Sequence, residues 1–489
     1  MLPHAYEEEM RALLGQDFER YLSALTQPPV RGLHLNRCKG EAGEVTRATA
    51  EQLTALSPLP YAADGYLWAG EERVGRHPLH HAGAFYVQEP SAMAPVCCLP
   101  DISGCRVLDL CAAPGGKSTQ LANRIGPSGL LVANEVVASR CSVLCGNLER
   151  MGIRRAIVTH APAEALADCL PDYFDVVVVD APCSGEGMFR NDPAAQTEWK
   201  PETPAACARR QADILLQAAR MLRPGGLLLY ATCTFSVCEN EGTVAAFLHT
   251  HPDFSLCEVP QAVRDVTAPG VQPPQGGLIH PEYCRRFYPH LAAGEGQFMA
   301  LLRREGDTFF PPLSARAQGQ TTAAKQRPTG GRRPDRNRAA QTDAEATCVA
   351  AFLREVLQEQ ALSALPDPVC FRGGYCLPPV PNALLPAALL PLCYAMGVRI
   401  GEVRKGRVIP HHHFFSACGG MMKTKLPLSA SDPRLFAYLS GEEIACDLPD
   451  GWGVVTVNGM PLGGIKVCCG RAKNHYPVGL RNTPSNDRG

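Results

Sequence analysis

Short apolar runs alternate with stretches of helical length through the middle of the chain, and this alternation limits the possible folds most. The apolar runs are Val107–Leu110, Leu130–Asn134, Ala156–Thr159, Asp175–Val179 and Leu227–Tyr230. The helical stretches are Lys117–Ile125, Ala138–Met151, Pro204–Leu222 and Glu239–Thr250. Strands buried on both faces are apolar throughout, and right-handed crossovers place their helices on both sides of a parallel sheet. We therefore predict an α/β, doubly wound core, which Phe298–Leu302 closes as a late antiparallel strand.

Three of the apolar runs end in residues that can carry chemistry. The first is followed by the small-residue turn from Cys111 to Lys117, the fourth by Asp180-Ala-Pro-Cys183, and the fifth by Thr232-Cys233-Thr234. Ligands of open α/β sheets bind beyond the carboxyl ends of the strands. We therefore expect these three segments to form one site.

The turn before Lys117 resembles a phosphate-binding loop but lacks one of its glycines. A P-loop has a glycine five residues before its Gly-Lys pair, where this chain has Cys111, and this mismatch argues against an ATPase. The alternative is a nucleoside cofactor, which Gly115 and Gly116 would let approach the backbone. The helix N-terminus near Lys117 favours a carboxylate such as that of S-adenosylmethionine. Glu135, after the next strand, is placed to accept hydrogen bonds from ribose hydroxyls.

Two of the 22 cysteines are predicted to be reactive. Most of the others lie in apolar stretches, where cysteine is a small buried residue, and no pair has the C-x-x-C spacing.

Cysteines at adjacent strand ends suit methylation of carbon 5 of a pyrimidine. Thiolate attack on carbon 6 makes carbon 5 enamine-like, and a base then removes the carbon 5 proton before the thiol leaves. Because a free thiol is only a few per cent ionised at neutral pH, Lys117 or a helix N-terminus is expected to activate it.

Three motifs strongly resemble the RNA (cytosine-5)-methyltransferase family, also called the Nol1/Nop2/Sun family. They are Cys111-Ala-Ala-Pro-Gly-Gly-Lys117, Asp180-Ala-Pro-Cys-Ser-Gly-Glu-Gly-Met188 and Ala231-Thr-Cys-Thr-Phe235. Tyr288-Pro-His290 and Gly294–Phe298 match a late family motif. The lead-in Gly83–Ser91 and the basic C-terminal region resemble the RsmF-like branch, which acts on bacterial small-subunit rRNA. The resemblance implies a Rossmann-like S-adenosylmethionine-dependent methyltransferase core.

The resemblance also implies roles for the matching positions. Cys233 is the expected nucleophile on carbon 6, Cys183 assists release of the methylated base, and Asp180 contacts the cytosine edge. Lys117 belongs to the catalytic set and to the cofactor site, whose other expected members are Cys111, Ala112, Ala113, Pro114, Gly115, Gly116, Glu135 and Asp180.

Two positions depart from the family pattern. The acid that usually contacts adenine is replaced by His160-Ala-Pro162, with Glu164 as a weak substitute. His34 stands where an N-terminal arginine is usual. Neither departure touches the cysteines.

The chain is long enough for several domains. We predict a small N-terminal α+β accessory domain with a lead-in segment at 1–100 and the methyltransferase domain at 101–306. A basic flexible linker at 307–347, an intermediate α/β region at 348–425 and a β-rich module at 426–489 are expected to follow. The resemblance implies that this last module is a PUA-like RNA-binding domain. The linker bases are Lys325, Arg327, Arg332, Arg333, Arg336 and Arg338.

RNA is the predicted partner, most specifically 16S rRNA within the small ribosomal subunit. The formal net charge of −1 gives no global positive field, so RNA binding is expected to use local basic patches. A tRNA or other RNA substrate remains an alternative, as does a non-catalytic RNA-binding assembly factor. No signal peptide or apolar span is evident, and a cytoplasmic monomer without membrane contact is expected.

No metal site is predicted. His77, His80 and His81 are close together, but a solvent-exposed or RNA-facing loop is the favoured interpretation. His411, His412 and His413 are adjacent, and on an extended strand they could not share one ion.

Overall fold

The computed structural model describes residues 2–39, 49, 52–53, 55–70, 74–307, 336–381 and 385–482, and the side chains of 336–342 lie outside this description. The strands of the N-terminal and catalytic parts are β1 Gly32–Leu35, β2 Leu56–Pro58, β3 Gly65–Trp68, β4 Phe85–Val87, β5 Arg106–Asp109, β6 Leu130–Asn134, β7 Ala156–Thr159, β8 Phe174–Asp180, β9 Leu222–Thr232, β10 Phe254–Cys257, β11 Ala268–Pro269, β12 Arg285–Phe287 and β13 Gln297–Arg304. Those that follow are β14 Val369–Phe371, β15 Gly374–Leu377, β16 Cys393–Met396, β17 Val398–Arg404, β18 Arg407–Pro410, β19 Lys425–Leu428, β20 Ile444–Ala445, β21 Gly451–Val457, β22 Met460–Cys468 and β23 Arg471–Asn474.

The principal α-helices connect these strands. They are His4–Leu14, Phe18–Leu25, Pro78–His81, Pro90–Cys97, Gly116–Ile125, Ala138–Arg150, Ala163–Cys169, Pro193–Glu198, Thr203–Met221, Glu241–Thr250, Gln261–Arg264, Arg336–Val356, Glu359–Ala364, His412–Cys418 and Pro433–Ser440. Within the described residues, no helix is long and apolar enough to span a membrane.

A ten-stranded central sheet confirms the predicted α/β core. Its order is β11-β12-β13-β9-β8-β5-β6-β7-β16, and β10 pairs with β13. The five predicted strands form the parallel part, β9-β8-β5-β6-β7. The predicted closing strand is β13, which runs antiparallel to β9 with Phe298 opposite Thr232. The strand ends that carry Cys111, Asp180 and Cys233 therefore lie side by side.

The apolar residues of the parallel strands fill two layers of core. On β8, Val177 and Val179 belong to one cluster, whereas Val176 and Val178 belong to the cluster on the opposite face. Successive side chains of a strand point to opposite faces, and helices cover both. This explains why β8 is apolar along its length and does not alternate with polar residues.

One strand of the central sheet comes from far along the chain. β16, within the predicted intermediate region 348–425, pairs antiparallel with β7, with Cys393 opposite Thr159 and Met396 opposite Ile157. The predicted intermediate region thus contributes one strand to the catalytic sheet. The sequence around β16 is rich in Pro and Leu and does not alternate between apolar and polar residues, so it did not indicate a strand.

Three smaller sheets surround the central one. The N-terminal sheet has the order β2-β3-β1-β4, the intermediate sheet β14-β15-β17-β18, and the C-terminal sheet β19-β21-β22-β23-β20. In the intermediate sheet, β17 and β18 form an antiparallel hairpin. The N-terminal and C-terminal sheets share one apolar core, in which Leu33 and Phe85 lie in the same cluster as Leu435 and Tyr438. The two ends of the chain therefore pack against each other.

The structure corrects three further expectations. The helix Arg336–Val356 begins inside the predicted linker, whose residues 308–335 lie outside the described part of the chain. The residues at 78–81 form a short helix, and His81 bonds Tyr476 Oη at 2.9 Å instead of lying on an exposed loop. His412 and His413 begin a buried helix, not an extended strand.

Candidate active site

The small-residue turn after β5 encloses the first part of the site. Gly115 has φ 113°, a left-handed conformation that glycine adopts without strain. Arg140 Nη2 donates to the carbonyl of Ala113 at 2.7 Å, and Asn147 Nδ2 to that of Pro114 at 2.9 Å. Two side chains of the helix Ala138–Arg150 therefore hold the turn.

A cavity of about 220 Å³ lies inside this turn. Cys111, Ala112, Ala113, Pro114, Gly116, Lys117 and Asp180 line it, together with Tyr86, Val87, Gln88, Ala92 and Asp109. Seven of the residues predicted to hold the cofactor are thus brought together. Gly115 and Glu135, the other two, do not line the cavity.

Asp109 supplies an unused acceptor at the cavity. Its Oδ2 accepts from Ser118 Oγ at 2.6 Å, whereas its buried Oδ1 has no hydrogen-bond partner among the described residues. Burial raises the pKa of Asp109 to about 7, although the Ser118 bond opposes this. A cationic ligand group would satisfy this carboxylate. The ammonium of S-adenosylmethionine is such a group, so the residues present fit that cofactor.

Lys117 and Asp180 join the cavity to the reactive cysteines. Lys117 Nζ lies 2.7 Å from Asp180 Oδ2, and Gln297 Nε2 donates to Asp180 Oδ1 at 3.4 Å. Burial alone lowers the pKa of Lys117, but Asp180 outweighs it and the pKa lies above its ordinary value. Cys233 also contributes to this rise, so the ammonium lies within electrostatic reach of the predicted nucleophile.

Cys183 and Cys233 face each other, as their strand ends predicted. Their sulfur atoms are 3.2 Å apart, and both residues are half-buried. The hydrogen bond with Cys233 and burial raise the pKa of Cys183 well above its ordinary value. Cys183 therefore keeps its proton near neutral pH.

The loop that follows Cys183 forms hydrogen bonds to the loop of Cys233 and fixes its position. Gly187 N donates to the carbonyl of Cys233 at 2.8 Å, and Phe235 N donates to Glu186 Oε2 at 2.9 Å. Trp199 Nε1 donates to Glu186 Oε1 at 3.1 Å. Burial raises the pKa of Glu186 to about 7. The two loops form one hydrogen-bonded unit.

Glu135 is buried at the end of β6, and its carboxylate is already engaged. Its Oε1 accepts from Val137 N at 2.9 Å, and Oε2 lies 3.3 Å from Arg140 Nη1. Contact with a ribose remains a prediction. His34 stacks on Tyr86 with ring centroids 5.6 Å apart and bonds Thr119 Oγ1 at 3.2 Å.

Sequence reasoning missed three polar residues of the site. Asp109, Gln88 and Gln297 come from different elements and meet only in the folded chain. Asp109 alone carried a usable signal, because it is an acid inside the otherwise apolar run Val107–Leu110. The contacts of Gln88 and Gln297 depend on β4 and β13 being placed beside the parallel strands.

One group of side chains in the described residues has the spacing of metal ligands. Asp450, Cys468 and Cys469 lie together where β21 begins and β22 ends, and all three are exposed. The expectation that the protein holds no metal stays a prediction.

Comparison with known proteins gives the family. The model of 16S rRNA methyltransferase RsmB/F matches residues 97–303, and models of the RsmF N-terminal and PUA domains match 2–90 and 425–482. Ribosomal RNA small subunit methyltransferase F of Serratia proteamaculans (strain 568) is 35% identical over 327 residues, which cover 64% of this chain and 65% of that protein. Its namesake in Escherichia coli O139:H28 is 33% identical over 344 residues, which cover 66% and 70%. The chain belongs to the RsmB/F methyltransferase family.

The chain thus aligns with about two thirds of the length of these RsmB/F relatives. A methyltransferase homolog protein from Pyrococcus horikoshii superposes with a TM-score of 0.54 at 26% identity, covering 61% of this chain and 93% of that one. NSun6 from the same organism superposes with a TM-score of 0.52 at 20% identity, covering 62% and 99%, and shows the fold alone. The predicted methyltransferase core and its S-adenosylmethionine cofactor are confirmed by the family.

Proposed function

We propose that the protein methylates carbon 5 of a cytosine in 16S rRNA, using S-adenosylmethionine. The observation that carries this proposal is the 3.2 Å separation of Cys183 and Cys233 at adjacent strand ends, beside the cofactor cavity. One thiol can make a covalent bond to the base and the other can assist its release. Methylation of an exocyclic amino group needs neither.

The cofactor side of the site is assigned to the turn after β5. Cys111–Lys117 and Asp109 would hold S-adenosylmethionine, which supplies an electrophilic methyl group when bound. Its ammonium suits the free oxygen of Asp109, and its carboxylate suits the N-terminus of the helix Gly116–Ile125. Glu135 is the proposed ribose contact.

Cys233 is the proposed nucleophile. The target cytosine must leave its stack to reach the site. The Cys233 thiolate then bonds to carbon 6, and the electrons of the carbon 5–carbon 6 double bond become available for methylation. Lys117, whose ammonium interacts electrostatically with Cys233, is the cation that we assign to this step. Asp180, held by Lys117 and Gln297, is placed to accept a hydrogen bond from the base edge.

Cys183 acts in the release step. A water molecule accepts the proton of carbon 5, the electron pair of that carbon–hydrogen bond reforms the double bond, and the bond between carbon 6 and the Cys233 sulfur breaks. The departing sulfur takes the electron pair of that bond. The protonated Cys183 thiol, at hydrogen-bond distance, stabilises the departing thiolate.

RNA binding is assigned to the parts that flank the catalytic sheet. We propose an accessory RNA-binding part at 1–100, a methyltransferase part at 101–306 and a PUA-like RNA-binding part at 426–489. The matches to the RsmF N-terminal and PUA models support this division. The segment β16 modifies it, since residues of the intermediate region complete the catalytic sheet.

Methylation of defined RNA tests the proposal. Purified protein, S-adenosylmethionine and either naked 16S rRNA or small subunits from cells lacking this gene are incubated and mapped by bisulfite sequencing. We expect new 5-methylcytosine at one or a few positions of 16S rRNA and none in tRNA. Cofactor binding without methylation of any RNA would instead favour a non-catalytic assembly factor.

A further inference from the structure

Behind the two cysteines lies a carboxylate that the mechanism above does not use. Glu239 is completely buried in the turn before the helix Glu241–Thr250. Its Oε2 accepts from Ser184 N at 3.0 Å and from Gln211 Nε2 at 2.8 Å. Its Oε1 accepts from Ser184 Oγ. Such a set of donors compensates a buried charge.

These bonds reach the residue that follows each cysteine. Ser184 follows Cys183, and Ser184 Oγ lies 2.8 Å from the hydroxyl of Thr234, which follows Cys233. Gln211 also donates to the carbonyl of Pro182, the residue before Cys183, at 3.1 Å. The carboxylate therefore holds the Cys183 loop on both sides and couples it to the Cys233 loop.

The nucleophile has an anchor that does not involve Glu239. The carbonyl of Cys233 accepts from Gly187 N, and Thr232 Oγ1 donates to Asn240 Oδ1 at 2.6 Å. Cys183 accepts a hydrogen bond from the backbone N–H of Gly185, but the residues on either side of it, Pro182 and Ser184, are held by Gln211 and Glu239. Loss of the Glu239 carboxylate should therefore move Cys183 more than Cys233.

We infer that Glu239 is a positioning residue that holds the Cys183 thiol against the sulfur of Cys233 for the release step. This inference rests on the proposed function. Attack on carbon 6 needs Cys233 and Lys117, whereas release needs Cys183 at hydrogen-bond distance. Glu239→Gln should therefore slow release more than attack, because misplacing a catalytic group by about 1 Å can cost up to a hundredfold in rate.

Two measurements on Glu239→Gln test the inference. The first uses no RNA: diamide takes two electrons and two protons from a pair of thiols, is itself reduced to a hydrazine, and leaves a disulfide. We expect the Cys183–Cys233 disulfide, located by peptide mass mapping, to form about tenfold more slowly than in the wild type. The second is the fraction of protein bound covalently to RNA at steady state, which should rise about tenfold.

Asp175→Asn is the matched control. Asp175 is also a fully buried carboxylate, but it lies at the other end of β8, where it accepts from Arg106 N and Arg223 Nε, each at 2.7 Å. This variant should lose stability without changing either readout. Should Glu239→Gln fail to fold, Thr234→Val removes the hydroxyl that couples the loops and should show the same changes more weakly.

Wild-type rates of disulfide formation in both the Glu239 and Thr234 variants would overturn the inference. An adduct level no higher than that of Asp175→Asn would do the same. The proposed function fails separately, through absence of methylation by the wild type, and the diamide measurement remains informative in that case.

Discussion

At the scale of single residues, the site works by placing charges where they are poorly solvated. Lys117, Asp180 and Asp109 are drawn from two strand ends and one helix, and each has at least one partner inside the protein. The cofactor cavity and the cysteine pair share the Lys117–Asp180 ion pair. In the proposed mechanism, binding of the cofactor and attack by Cys233 therefore both depend on this ion pair.

Asp109 should make the unliganded protein less stable as the pH rises. Its pKa is about 7 in the folded protein and ordinarily 3.8, so between these values the folded state holds the extra proton. Stability then falls as the pH rises from about 4 to about 7. Asp109→Asn removes this loss. When the pH is raised from 5 to 8, the unfolding free energy of the wild type should fall by about 2 kcal/mol more than that of the variant.

Urea unfolding at the two pH values, without cofactor, measures this difference. The control is Asp101→Asn, because that carboxyl is exposed and its pKa is lowered by its bonds to Ser103. Equal pH dependence of the wild type and Asp109→Asn would contradict the assignment.

The residues of the site were predictable to different degrees. Cys183, Cys233 and Lys117 follow strands whose apolar pattern is unmistakable, so the sequence places them at one edge of one sheet. Glu239 lies two residues before a helix, and only the folded chain brings it to Ser184 and Thr234. Local patterns do not encode such long-range contacts.

At the scale of elements, β16 is the part of the sheet that the sequence concealed. Cys393 is fully buried on this strand, whereas Leu390, in the turn before it, is 43% exposed. Cys393→Asp would place a carboxylate in the core cluster that also contains Ile157 and Leu166. We expect a loss of about 3 kcal/mol or more of unfolding free energy.

Leu390→Asp is the control for this strand, and its effect should stay within about 0.5 kcal/mol. The unfolding free energies of both variants are measured by urea denaturation. One probe reports on the central sheet and a second reports on the whole protein. If Cys393→Asp unfolds like the wild type, β16 does not pair with β7 in solution.

The parallel strands were predicted within a few residues because burial on both faces makes them uniformly apolar. β16 escaped because it is short, irregular in register and preceded by prolines. The helix Arg336–Val356 escaped in part because it starts in a segment of linker composition. In both cases contacts formed elsewhere in the chain override the local composition.

At the scale of the whole molecule, the two ends of the chain meet at a seam rich in buried histidine. His412 is buried with neither ring nitrogen bonded within the described residues, and its ring lies 5.4 Å from that of Tyr476. Lys39, which is also buried there, donates to the carbonyls of Ala82 and Pro461. The seam joins the N-terminal and C-terminal sheets. A proton added to His412 would place a positive charge there, and none of these contacts supplies a negative group to balance it.

Acid should therefore weaken this seam. Burial, with Lys39 adding to it, lowers the pKa of His412 to about 3 from an ordinary 6.5. The unfolded chain takes up the proton first, so stability is present above about pH 6.5 and is lost as the pH falls towards 3. At pH 5 His412 should cost about 2 kcal/mol, which His412→Phe should restore.

Thermal denaturation at pH 5 and pH 7.5 checks this expectation. His249→Phe, at an exposed position, is the control and should leave the pH dependence unchanged. An equal loss of stability at pH 5 in the wild type and His412→Phe would show that the seam does not sense pH through this residue.

The central claim is that Cys233 bonds to the base and Cys183 helps release it, and the covalent intermediate tests this most directly. Wild type, Cys183→Ala and Cys233→Ala are incubated with S-adenosylmethionine and 16S rRNA, and protein–RNA adducts are resolved by denaturing electrophoresis. We predict a stable adduct for Cys183→Ala, little for the wild type and none for Cys233→Ala. An adduct that survives Cys233→Ala, or a Cys183→Ala variant that turns over without trapping RNA, would contradict the assignment.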